Sequence, residues 1–231
     1  MSTRFVIVSQ PRTGSTLLNA ALRRHPQVLK HAEILNHGQP HHLPQDGYQR
    51  LMVALRPIDR YRAVGCTMHA YQPDRGWPEW RQWETAWEAL FEDPTIKIIW
   101  LHRLNALAQL ASWKIADILG LWGDQSEVVD RPTIRVEPYE LFWFRYWNNL
   151  AFDRRLGRLG QHEVLEITYE SLCDDWEQTL NRIHRYLGVD SRPIPPPIPK
   201  WETRPMCEVV ENYDELQAGM KKMHRWREVD S

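Results

Sequence analysis

A three-layer α/β fold built on a mainly parallel central sheet is what the sequence predicts, and three observations predict it. Short apolar, β-branched runs at 5–9 (FVIVS), 63–68 (AVGCTM), 96–101 (IKIIWL) and 163–168 (EVLEIT) read as buried strands. Stretches with apolar residues at helical spacing alternate with them, as crossover helices between parallel strands do. A tight loop containing glycine joins the first strand to the first helix, the start of a mononucleotide-binding half-unit.

Taken in order, the first helix is STLLNAALRRH, and Pro26 ends it. Residues 79–92 read as helical until Asp93-Pro94 breaks them, and Leu104–Gly120 follows the central strand as a long helix. The segment 121–137 has mixed polarity and reads as a loop over one face, before an aromatic-rich helix at 138–159. After the fourth strand a helix runs to Leu187, with Gly188 as its C-cap. SRPIPPPIPK (191–200) must be extended, polyproline-like chain. Asn212 with Glu215 three positions on is a helix-start signal for 213–228. A chain of 231 residues that is 42% hydrophobic suits one domain spanning 1–231, and no internal repeat is present.

A net charge of -1 argues against a surface made to coat nucleic acid or anionic lipid, so any anion site must be built locally. No run of 18 apolar residues is present, which excludes a membrane helix and points to a soluble, cytoplasmic protein. Cys66, Cys173 and Cys207 show no CxxC pairing and read as buried reduced thiols. Trp77, Trp80, Trp83 and Trp87 recur at helical spacing, which favours packing over ligand stacking.

The loop PRTGST lies where open α/β sheets bind ligands, beyond a strand's carboxyl end and at a helix N-terminus. Gly14 lets the backbone approach an anion, Ser15 and Thr16 offer hydroxyls beside free N–H groups, and Arg12 adds a permanent cation. A Walker loop would need a second glycine and a lysine before the Ser or Thr, and both are missing. A sulfuryl group carries one negative charge less than a phosphoryl group, so a shorter loop with one cation suffices without metal.

SQPRTGSTLL resembles the 5′-phosphosulfate loop of the sulfotransferases, in particular bacterial carbohydrate-type members. The resemblance implies a P-loop-like fold and a sulfuryl transfer from PAPS (3′-phosphoadenylyl sulfate), with no metal expected. It gives Arg12 the leaving phosphate oxygen and Thr13, Gly14, Ser15, Thr16 and Leu17 the other donor contacts. In IKIIWLHRLNALAQLASW it assigns Arg103 and Ser112 to the 3′-phosphate, and an arginine fork suits phosphate oxygens. TYESLCDDWEQTLNRIHRYLGV is similar to the family's late strand-to-helix segment, which places Tyr169 against the nucleotide with Glu170 as a structural neighbour. RPMCEVVENYDEL resembles the C-terminal stretch of the bacterial group, and Lys200 is a further candidate for the phosphates.

An acceptor hydroxyl attacking sulfur needs a proton acceptor within hydrogen-bond reach. KHAEIL supplies Glu33, matching the family's glutamate base, with a partly desolvated pocket expected to raise its pKa. His69 and His31 are the alternative bases. His25, His31, His37, His41 and His42 fit no metal-ligand spacing and read as an acceptor-facing loop. Two rival readings are a metal-dependent small-molecule kinase and a non-catalytic nucleotide-binding module. The expected partner is a small-molecule or carbohydrate acceptor, with Trp143, Trp147, Trp77 and Trp80 as sugar-stacking candidates. An aromatic helix at 139–147 offers a homodimer face.

Overall fold

A computed structural model describes residues 2–36, 46–72, 80–122, 130–198 and 202–220. The chain divides into two compact units, residues 1–104 with 150–198 and residues 105–149 with 199–231.

The first unit holds one sheet of five strands, β1 (Thr3–Ser9), β2 (Val28–Glu33), β3 (Ala63–His69), β4 (Lys97–His102) and β5 (Val164–Thr168). Their order is β2-β3-β1-β4-β5 and every pairing is parallel. On one face, α1 (Ser15–Arg23), α6 (Tyr169–Asp174) and α7 (Trp176–Leu187) cover Phe5, Ile7, Ile99, Leu101 and Ile167. On the other, α2 (Gly47–Ala54), α3 (Trp80–Glu92) and Leu156 and Leu159 cover Val6, Val8, Cys66, Met68 and Ile98. Burial on both faces explains why the inner strands β1, β3 and β4 read as continuous apolar runs. Gly65 is required where it stands, because a Cβ there would lie 2.5 Å from the Phe5 ring. Chain order reverses at β1, so the loop after β1 occupies the topological switch point of the sheet.

The second unit contains α4 (Ala106–Leu119), α8 (Met206–Val209) and the first part of α5 (Pro138–Leu156), a helix that the division crosses. Its own core joins Leu110, Ala111 and Ile115 to Ile134, Val136, Leu141, Val209, Val210 and Leu216. Lys114 Nζ ties α4 to Glu140 of α5 at 2.9 Å.

The predicted strands and helices are present among the described residues, with β2, α2 and α8 as additions, and residues 221–228 of the last predicted helix lie outside them. Residues 213–220 are helical, but Asn212 does not cap them as a box. Its side-chain amide is spent on the backbone of Val136, accepting from N and donating to O. Gly188 caps α7 in the left-handed region, φ 70°, as expected. Trp83 and Trp87 are buried and pack the core, as their spacing predicted, while Trp80 is half-buried. Of the three thiols only Cys66 is buried. Cys207 is exposed because α8 turns Val209 inward, about 200° around the helix from it. No helix among the described residues is long and apolar enough to cross a membrane.

His184 on α7 is fully buried against His25, with ring centroids 4.7 Å apart. Among the described residues neither of its ring nitrogens has a hydrogen-bond partner. Burial and the facing His25 hold it down to about 4, from an ordinary 6.5. The unfolded chain therefore binds this proton as pH falls through 6.5, while the folded chain refuses it until about 4. Stability is full above that window and is lost as pH falls through it, by roughly 3 kcal/mol. Urea unfolding at pH 7.5 and 4.5 is expected to show a smaller loss for His184→Leu than for the wild-type chain. Equal losses would remove His184 as the cause.

Candidate active site

The site is built at the carboxyl ends of the strands in the first unit. β1 ends at Ser9, and residues 10–14 turn into α1. Gly14 is the N-cap at φ 89°, and no side chain caps the helix. Its first N–H groups, on Ser15, Thr16 and Leu17, thus present the positive end of α1 to the loop's outer side. Gly14 carries a second requirement, because a Cβ there would meet the Tyr169 ring at 2.7 Å. Thr13 is buried with its hydroxyl donating to the Gln10 carbonyl at 2.7 Å, so it braces the loop and leaves ligand contact to backbone.

Arg12 is, among the described residues, the one non-glycine at positive φ, 62°. Left-handed backbone costs a residue with a Cβ on the order of 1 kcal/mol, and such strain persists where surrounding structure enforces it. The enforcing partner is Arg103, just past β4, whose Nη1 donates to the Arg12 carbonyl at 3.3 Å. The Arg103 guanidinium also lies 4.3 Å from the centroid of the Tyr169 ring. Its Nε is buried with no partner among the described residues. An unfilled buried donor on a fixed guanidinium is the signature of a site for an oxyanion. Burial, then contact with Cys173, pushes the Tyr169 phenol up to about 12, so the ring stays neutral beside that cation. Glu170 accepts from the Leu104 backbone N–H at 3.0 Å and fixes the end of β4, as a structural neighbour would.

Ser112 is buried on α4 in the second unit. Lys200, Trp77, His37, His41 and His42 lie outside the described residues.

Glu33 closes β2, and His69 closes β3. His69 Nε2 stands 2.9 Å from Glu33 Oε1, and His69 Nδ1 stands 2.9 Å from Ser9 Oγ. Asn36 Nδ2 donates to Glu33 Oε2 at 3.0 Å. The carboxylate is 22% exposed while His69 and Ser9 are buried, so Glu33 is the member of this chain that meets solvent. The pocket does not raise Glu33 as the sequence had suggested. Burial pushes its pKa up, but the charge and hydrogen bond of His69, helped by Asn36 and Lys30, outweigh burial and hold it to about 2. His31 sits earlier on β2, its pKa lowered by burial and by Lys30 and Arg23. His25 is committed to the Asp190 carbonyl at 2.9 Å.

The structure therefore gathers Arg12 to Leu17, Arg103 and Tyr169 around one loop, and joins Glu33 to His69 through β3. Sequence reasoning treated Glu33 and His69 as alternatives, and it passed over Ser9, Asn19 and Lys30. The available signal was polar residues at alternate positions of an apolar strand, Thr67 and His69 in AVGCTMH.

A family model described as the sulfotransferase family matches residues 4–193. A crystal structure of a sulfotransferase from Alicyclobacillus acidocaldarius is similar at a TM-score of 0.52 and 18% identity, over 90% of this chain and 89% of that one. The sulfotransferase domain from the curacin biosynthetic pathway is similar at a TM-score of 0.51 and 17% identity, over 84% and 76%. No curated protein matches the chain. These solved structures share the three-layer P-loop-like fold.

Proposed function

The chain belongs to the sulfotransferase family, and from that premise we propose that it moves a sulfuryl group from PAPS to an acceptor hydroxyl and releases 3′,5′-ADP. The observation that carries the reading is the uncapped N-terminus of α1 beside two arginines, one of them with a buried Nε awaiting an acceptor. The N–H groups of residues 15–17 and the Arg12 side chain would hold the 5′-phosphosulfate, and Arg103 its 3′-phosphate. Tyr169 forms the wall behind both. The proposal for the 3′-phosphate rests on Arg103, since Ser112 belongs to the second unit.

In this mechanism the acceptor oxygen approaches sulfur in line, opposite the bridging oxygen of the donor. The O–S bond to the acceptor forms as the bond to the 5′-phosphate breaks. The acceptor proton passes to the Glu33–His69 pair, with Glu33 presenting the accepting oxygen. Ser9 Oγ, 2.9 Å from the far ring nitrogen of His69, fixes the orientation of the ring against Glu33. Arg12 and the α1 N-terminus stabilise charge growing on the leaving phosphate oxygen. The acceptor class we propose is a small molecule or carbohydrate with a free hydroxyl.

Calorimetry without added metal separates this reading from its rivals. 3′,5′-ADP is expected to bind at least tenfold more tightly than 5′-AMP, about 1.4 kcal/mol for the Arg103 contact. Equal binding, or binding only with Mg²⁺, would displace PAPS as donor and favour the kinase reading.

A further inference from the structure

β2 and β3 pair in the register Val28↔Ala63, Leu29↔Val64 and Lys30↔Gly65, and then Glu33↔Thr67. Three steps along β2 therefore match two along β3, which is one extra residue in β2. In an even strand, residues three apart face opposite sides of the sheet. The bulge brings Lys30 and Glu33 to the same side, where each meets an alternate residue of β3. Lys30 Nζ donates to Thr67 Oγ1 at 2.9 Å, and Glu33 Oε1 lies against His69. Thr67 in turn donates to Asn19 Oδ1 of α1 at 2.9 Å, and Lys30 Nζ also donates to the His31 carbonyl within the bulge.

Lys30 is only 5% exposed, and its hydrogen-bond acceptors are a neutral hydroxyl and a neutral carbonyl. A buried ammonium without a carboxylate in contact is costly, and a methionine would fill the same space without that cost. We propose that Lys30 is a positioning residue for the Glu33–His69 pair, its buried ammonium fastening the bulge that aims Glu33 at His69 and supplying a positive charge to that pair. The proposal rests on Glu33 and His69 being the base.

The charged and titratable groups around Lys30 are Glu33 and His31 of β2, Cys66 and His69 of β3, and Arg23 of α1. Burial lowers Lys30 to about 7, Cys66 and Glu33 pull upward against it, and Arg23 adds to the lowering. Lys30 reciprocally helps to hold Glu33 down. Above neutrality the ammonium is lost, and with it the charge that favours the carboxylate.

The test is a pH titration of the Lys30 ε-carbon resonance by NMR, in the full-length wild-type chain and in Glu33→Gln, with no donor present. Thr67→Val identifies the resonance. The expected result is a wild-type midpoint near neutrality that falls by at least about half a unit in Glu33→Gln, because a neighbouring negative charge has gone. A midpoint that Glu33→Gln leaves in place overturns the proposal, since burial alone lowers a lysine that does not feel Glu33, and a midpoint at the ordinary lysine value overturns it because the ammonium would then not be buried beside the pair. Because the readout needs no nucleotide, that failure beside intact 3′,5′-ADP binding leaves the sulfotransfer reading standing. A coupled Lys30 in a protein that ignores 3′,5′-ADP removes the pair's catalytic role, and this proposal with it.

Discussion

Glu33→Gln is expected to lower turnover of PAPS to 3′,5′-ADP by about 10²–10⁴, the range for loss of a positioned general base. The change is isosteric, and the side chain stands at the end of β2 with one side open to solvent. Affinity for 3′,5′-ADP should stay within about twofold, because on the proposed reading the nucleotide is held by the loop and Arg103, independently of β2. Since Glu33 is held to about 2, it is ionised throughout any working pH. A His69→Gln variant should fall by a comparable factor, and the double variant little further than the worse single one, as groups acting as a unit do. Wild-type turnover in Glu33→Gln would move the base elsewhere. Additive losses would mean that the two residues serve separate steps.

What could be read beforehand follows from how the site is distributed. β1, β3 and β4 announce themselves because both of their faces are covered, so burial writes an unbroken apolar run, and β5 at the far edge shows through Leu165 and Ile167 on its one covered face. β2 is at the sheet edge and carries VLKHAE, whose Lys, His and Glu hide the strand behind a polar reading. The bulge deepens the concealment, since period-two counting fails across it. The loop from Gln10 to Gly14, proposed for the phosphosulfate, was legible because its residues are consecutive and its glycine is obligatory. The proposed base was half legible. Glu33 and His69 are 36 positions apart in the sequence and meet only through strand pairing, so the carboxylate's partner, and hence the direction of its pKa, could not be inferred from neighbours along the chain. The same holds for Lys30, Thr67 and Asn19, each an isolated polar residue in sequence and a linked row in the fold.

Arg12→Ala is expected to cut turnover by about 10²–10³, the usual consequence of losing one preorganised donor to a developing oxyanion. Some nucleotide affinity should survive, because the α1 N–H groups and Arg103 remain. Two effects are mixed in that variant, for residue 12 is left-handed at φ 62° and alanine keeps the strain while losing the cation. Arg12→Gly separates them. Glycine adopts this φ freely, so it should be more stable than Arg12→Ala by about 1 kcal/mol in urea unfolding. Its turnover should nonetheless be as poor as that of Arg12→Ala, because the missing charge is common to both. Arg12→Lys should recover part of the rate, since lysine restores a point charge without the planar fork. If Arg12→Gly instead kept wild-type turnover, the loop backbone alone would be sufficient, and the side chain of Arg12 would have no part in the transfer. The strain at this position would then belong to loop shape, enforced through the Arg103 bond to its carbonyl, rather than to chemistry.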